Sequence, residues 1–173
     1  STPLSLQSSD FALFALPQQL AQDGQQLDAA WTRLQAHTHP DKFAAASSFE
    51  QKQAVMMAAT LNDAYRTLLS PIDRAAYLLK SQGIDADAPD PTGFAPEFLM
   101  QQMEWREALE DGRNEHNETA LLALDQEIAA EQQNLFAELS QAFAAQQTEQ
   151  AGQLVRQGRF LNKLRQEIQA ALP

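Results

Sequence analysis

The chain has 173 residues, 44% of them hydrophobic, with no cysteine and a formal net charge of −11. That length supports one large or two small cores, no apolar run reaches the ~20 residues of a membrane span, and without thiols the chain can form no disulfide and offer no thiolate to a metal or cluster. The charge is lopsided, since residues 1–80 carry 6 basic and 7 acidic side chains whereas residues 81–173 carry 6 and 16. So acidic a second half repels phosphate backbones, which argues against nucleic acid and for a basic protein surface as its partner. Residues 1–9 have neither the basic start and long apolar stretch of a secretory signal nor the arginines of a transit peptide, so a cytoplasmic protein is expected.

Strand signals are nearly absent. Valine occurs only at positions 55 and 155, and Ala, Leu, Gln and Glu fill the long segments, so an all-helical fold is predicted. A helix over Gln25–Thr38 is marked by Leu27, Trp31 and Leu34 on one face, with Gly24 in a preceding turn and Asp28 in the first turn, where a carboxylate favours the dipole. Pro40 lacks an amide hydrogen and clashes with the turn before it, so that helix must end at His37 or Thr38. A polar corner follows, His39-Pro40-Asp41, then Lys42 and Phe43. The next helix carries Met57, Leu61, Ala64 and Leu68 at three-to-four spacing, and the two helices should pack as an antiparallel pair.

Residues 82–93 concentrate Gly, Pro and Asp, the composition of a connection between domains. Three helices are predicted beyond it: one from Pro96 to about Asp111, stopped by Gly112, then Glu115–Gln147 and Glu149–Leu172. Short turns make them a small antiparallel bundle. The cations Arg156, Arg159, Lys163 and Arg165 of the last helix are placed to neutralise part of the acidic charge on the first two. At about 100° per residue, Phe98, Trp105 and Leu109 form the core face of the first bundle helix. Leu99, Met100, Met103, Glu104, Glu107, Glu110 and Asp111 fall on the other side, where a solvated face is expected. An apolar patch rimmed by carboxylates is how a protein-binding surface is built. The plainer alternative is that the three apolar residues pack against the first domain or the connection.

Several of these pieces resemble a known family. Phe11-Ala-Leu-Phe-Ala-Leu-Pro17, the helix up to Thr38, His39-Pro40-Asp41, Leu61-Asn-Asp-Ala-Tyr-Arg-Thr-Leu68 and Pro71-Ile-Asp-Arg74-Ala-Ala-Tyr77 are similar, in order, to the J-domain that stimulates ATP hydrolysis in chaperones of the DnaK class. Phe98-Leu-Met-Gln-Gln-Met-Glu-Trp-Arg-Glu-Ala-Leu109 and Arg159-Phe160-Leu-Asn-Lys-Leu-Arg165 resemble the C-terminal domain of HscB-type co-chaperones of iron-sulfur cluster assembly. The resemblance implies a J-domain over residues 1–81, a linker over 82–95 and a three-helix bundle over 96–173. It implies that Arg33, His39, Pro40, Asp41 and Lys42 meet an HscA-type ATPase chaperone, with the Asp41 carboxylate reaching an arginine near the nucleotide domain. It also implies that Leu99, Met100, Met103, Glu104, Glu107, Asp111 and Phe160 bind an IscU-type scaffold protein. The chain departs from the pattern in helix two, which carries Arg33 as its one Lys or Arg. Electrostatic steering should then be weak, which implies either lower affinity for a general chaperone or a dedicated partner that makes up the difference.

Competing readings remain. Asp41 could simply cap the following helix, with His39 a turn residue. His37, His39 and Asp41 could hold a metal ion, although His116 is the one further histidine. A J-domain adaptor with a different client would have the same fold. The chain has no phosphate-binding glycine loop, cysteine nucleophile or serine–histidine spacing, so neither catalysis nor a bound cofactor is expected.

Overall fold

The computed structural model describes residues 9–14, 16, 19–22, 24–90 and 93–173. Residues 1–8, together with Ala15 and Pro17 of the expected first helix and Pro91 and Thr92 of the expected connection, lie outside them. Seven α-helices and no strand occur among the described residues: α1 Asp10–Leu13, α2 Gly24–Thr38, α3 Ser48–Leu69, α4 Pro71–Ser81, α5 Pro96–Asn114, α6 Glu118–Ala144 and α7 Thr148–Ala171. A 3-10 turn, Pro40–Phe43, separates α2 from α3. The chain divides into two compact units, Ser1–Leu78 and Leu79–Pro173.

In the first unit α2 and α3 pair, and α1 packs on α3. Phe11, Phe14, Leu27, Leu61, Ala64 and Leu68 are buried, as the helical spacing requires, while Trp31 stacks on Tyr65 with ring centroids 4.6 Å apart. Phe14 tilts against both rings. The Arg74 guanidinium ties the unit together by donating to the carbonyls of Leu20 at 2.7 Å and Leu68 at 2.6 Å. Tyr77 stacks obliquely on Phe11 and its hydroxyl accepts from the Asp10 amide at 2.9 Å. Asp28 is not in the first turn of α2, which begins at Gly24; its carboxylate instead accepts from the Tyr65 hydroxyl at 2.8 Å.

In the second unit α6 packs along α7, and α5 along α6. Leu121, Leu124, Ile128, Leu135 and Leu139 of α6 meet Leu154, Leu161, Leu164 and Ile168 of α7 in its core. Burying each large side chain stabilises the unit by ~1.5–3 kcal/mol, against less than ~1 kcal/mol for an exposed ion pair, so apolar contact dominates. Gly112 does not stop α5, which continues to Asn114. A Cβ there would lie 2.8 Å from Leu121 Cδ2, so the missing side chain lets α6 approach α5 closely.

The cations of α7 distribute themselves differently from the simple pairing expected. Arg165 grips Asp125 of α6 at 3.0 and 3.2 Å, and the Arg106–Glu167 pair joins α5 to α7 with the charges reversed. Arg156 donates to the Ala86 carbonyl at 3.0 Å and to Asp90 at 2.8 Å, and Arg159 holds Asp87 at 2.9 and 3.1 Å. These bonds fasten residues 86–90 of the expected connection onto the last helix.

Candidate functional site

Two surfaces carry the sequence-predicted residues. The first is the corner after α2. Pro40 contributes no amide, the chain turns at Thr38, and His39 takes extended backbone angles (φ −58°, ψ 132°) to start the 3-10 turn. His39 Nδ1 accepts from the Asp41 amide at 3.2 Å, so the ring proton of this arrangement sits on Nε2, free for an outside acceptor. The imidazole fixes the backbone of Asp41, whose side chain is 92% exposed. Lys42 is exposed beside it, and Arg33 is exposed on α2.

Asp41 does not cap α3. Ser47 does, its hydroxyl accepting from the Glu50 amide at 3.2 Å. Ser47-Ser-Phe-Glu50 has the form of a capping box, the signal that could have placed the helix start. Gln51, which sequence reasoning missed, donates to the carbonyls of Phe43 at 3.2 Å and Ala44 at 3.0 Å and clamps the corner to α3. With the start of α3 capped by Ser47, the Asp41 carboxylate lies 3.5 Å from His39 Nδ1 and otherwise faces solvent. Among the described residues no three His, Asp or Glu side chains converge to hold a metal ion.

The second surface is α5. Its inner face is built on Trp105 and Leu109, each 3% exposed. Its outer face presents Leu99 at 44%, Met100 at 64% and Met103 at 72% exposure, so these side chains are not sealed inside. Glu104, Glu107 and Asp111 are exposed on the same helix. Glu110 and Asp111 lie near its C-terminal end, where carboxylates oppose the helix dipole. Glu110 is offset locally, pairing with Arg113 at 3.7 Å and accepting from Asn114 at 3.5 Å, whereas Asp111 stands exposed.

Phe160 plays a different part from the other predicted residues. It stacks on Trp105 at 6.4 Å, meets Phe98 edge-on at 5.8 Å and lies under the Arg106 guanidinium at 5.4 Å. Phe98 in turn touches Phe94 at 5.0 Å. Phe160 thus belongs first to the aromatic seam joining α7 to α5, with one part still accessible. Arg106 was missed by sequence reasoning, and its place three residues beyond Met103 beside an aromatic-rich helix was the available sign.

Residues 94–169 match the family model described as the HSCB C-terminal oligomerisation domain. The co-chaperone protein HscB homolog of Neisseria gonorrhoeae (strain NCCP11945) is 59% identical over 95% of this chain and 99% of its own length. That of Bordetella avium (strain 197N) is 44% identical over 94% and 96%. Among solved structures, chaperone HscB from Vibrio cholerae superposes with a TM-score of 0.82 at 40% identity, covering 94% of this chain and 96% of its own. Human co-chaperone protein HscB gives 0.87 at 28% identity over 95% and 82%.

Proposed function

The chain belongs to the HscB family of co-chaperones, and from that premise we propose that it is a two-ended adaptor. One end, the J-domain of residues 1–81, stimulates the ATPase of an HscA- or DnaK-type chaperone through the His39-Pro40-Asp41 corner. The other, the bundle of residues 96–173, carries an IscU-type iron-sulfur scaffold protein on α5 and delivers it for cluster assembly or transfer in the cytoplasm. The observation that carries this reading is the outward face of α5, on which Leu99, Met100 and Met103 stand exposed among carboxylates while the opposite face is core. The apolar centre supplies affinity and the charges orient the partner.

At the chaperone end, Asp41 makes a charge-assisted hydrogen bond to an arginine of the ATPase, the strong and directional kind. His39 holds the backbone under that carboxylate. Holding both partners on one chain raises their effective concentration toward each other, so hydrolysis occurs with the scaffold within reach. The single cation of α2, Arg33, makes steering weak and favours a dedicated chaperone.

The matching family model is described by oligomerisation. Two copies meeting through α5 would bring Glu104, Glu107 and Asp111 against their own kind, which favours a basic partner over self-association. Two substitutions separate the ends. Asp41→Asn is expected to abolish ATPase stimulation while leaving scaffold affinity unchanged; loss of both together counts against two independent surfaces. Leu99→Ala with Met103→Ala should weaken scaffold binding at least tenfold with helicity preserved. A folded double variant with normal affinity would remove α5 from the site and favour a different client. Phe160→Ala is the poorer test, because it also opens the seam against Trp105.

A further inference from the structure

The face assigned to the scaffold is also the most oxidisable surface the chain presents. With no cysteine in the sequence, methionine is the sulfur side chain available for mild two-electron oxidation. Of the four methionines, Met103 is 72%, Met100 64% and Met56 50% exposed, whereas Met57 is partly covered on α3. Met100 and Met103 stand one turn apart on α5 and, with Leu99, make up its apolar centre.

We infer that Met100 and Met103 form a reversible oxidation site that switches off docking through α5. The inference rests on the docking reading above. A thioether lone pair attacks one oxygen of hydrogen peroxide; the S–O bond forms as the O–O bond breaks, and the departing hydroxide takes the proton of the transferred hydroxyl and leaves as water. Sulfur loses two electrons and the peroxide gains them. Peroxide is uncharged, so the surrounding carboxylates do not repel it. Oxidation at positions this exposed leaves the helix in place and changes its face.

The product sulfoxide is polar and accepts hydrogen bonds. Its neighbours Glu104, Glu107 and Asp111 are exposed side chains whose carboxylate oxygens are acceptors. That ring offers the new oxygen no donor, so a partner surface that packs on the bare thioethers must desolvate a polar oxygen to cover the face. Reversal needs two electrons from a dithiol, which becomes a disulfide as the oxygen leaves as water, catalysed by one sulfoxide reductase per epimer.

The test treats the full chain with hydrogen peroxide, maps oxygen addition by peptide mass spectrometry, and measures helicity and affinity for the IscU-type scaffold. Met100, Met103 and Met56 should oxidise well before Met57, with helicity unchanged. Scaffold affinity should fall about tenfold or more, and return after incubation with both sulfoxide reductases and dithiothreitol. Met100→Leu with Met103→Leu should keep its affinity through the treatment, and Met56→Leu should not protect. An untreated chain that binds and an oxidised chain that binds equally well overturns the inference alone, as does equal loss in the Met100→Leu, Met103→Leu variant. An untreated chain that fails to bind overturns the docking reading, and the switch with it.

Discussion

Asp10 opens α1 partly buried, with Asp63 nearby, and burial first, then that like charge, raises its carboxyl above the ordinary range. A folded-state value above the unfolded one means the native state holds the proton more tightly, so the ionised form costs stability. That cost is complete above the folded value and disappears as the pH falls below the unfolded one. Asp10→Asn should therefore raise the melting temperature slightly at neutral pH, by roughly 1–3 °C. The gain should vanish on acidification into the carboxylate range; a gain independent of pH would assign it to another cause. Tyr65 is shifted upward chiefly by its hydrogen bond to Asp28. That bond joins residues far apart in the chain, which is why sequence alone gave Asp28 a local role at the helix dipole. The corner at His39-Pro40-Asp41 was legible because proline chemistry acts on its immediate neighbours. The Gln51 clamp was not, since nothing local distinguishes an amide that reaches back to Phe43 and Ala44.

Three helices close with the same paired hydrogen bonds. In α4 the amides of Gly83 and Ile84 return to the carbonyls of Lys80 and Leu79, in α5 those of His116 and Asn117 return to Arg113 and Gly112, and in α6 those of Gln146 and Gln147 return to Phe143 and Ala142. The residue at the bend is left-handed each time, Gly83 at φ 86°, His116 at 52° and Gln146 at 56°. Glycine is usual at that position because it has no Cβ to clash. Reading glycine as punctuation therefore found the first bend and missed the other two. It also misread Gly112, which serves contact with Leu121 inside a helix. Gln146→Gly should relieve the bend between α6 and α7 and stabilise the chain by about 0.5–1 kcal/mol in denaturant unfolding. The periodic faces were more legible, because a 100° step is dictated by the helix itself: it placed Leu121, Leu124, Ile128, Leu135 and Leu139 inside and Met100 and Met103 outside.

Across the whole molecule, charge divides unevenly along the chain. The two stretches, 1–80 and 81–173, differ by nine charges, −1 against −10. Scaffold association through α5 should therefore slow as ionic strength rises past ~0.1 M, where the Debye length shrinks below about 10 Å, with the dissociation rate changing much less. An association rate indifferent to salt would mean that Glu104, Glu107 and Asp111 do not steer the encounter. Composition showed this imbalance at once. It could not show that Arg156 and Arg159 are spent on Asp90 and Asp87, because those pairings span about seventy residues and depend on the folded chain.

The aromatic pairs have a practical outcome. Of the two tryptophans in the chain, Trp31 lies face to face with Tyr65 among α1, α2 and α3, and Trp105 stacks on Phe160 in the bundle. Replacing either by phenylalanine leaves one indole, whose ultraviolet emission belongs to one half alone. Melting of the first unit and of the second can then be followed separately in an intact, unlabelled polypeptide.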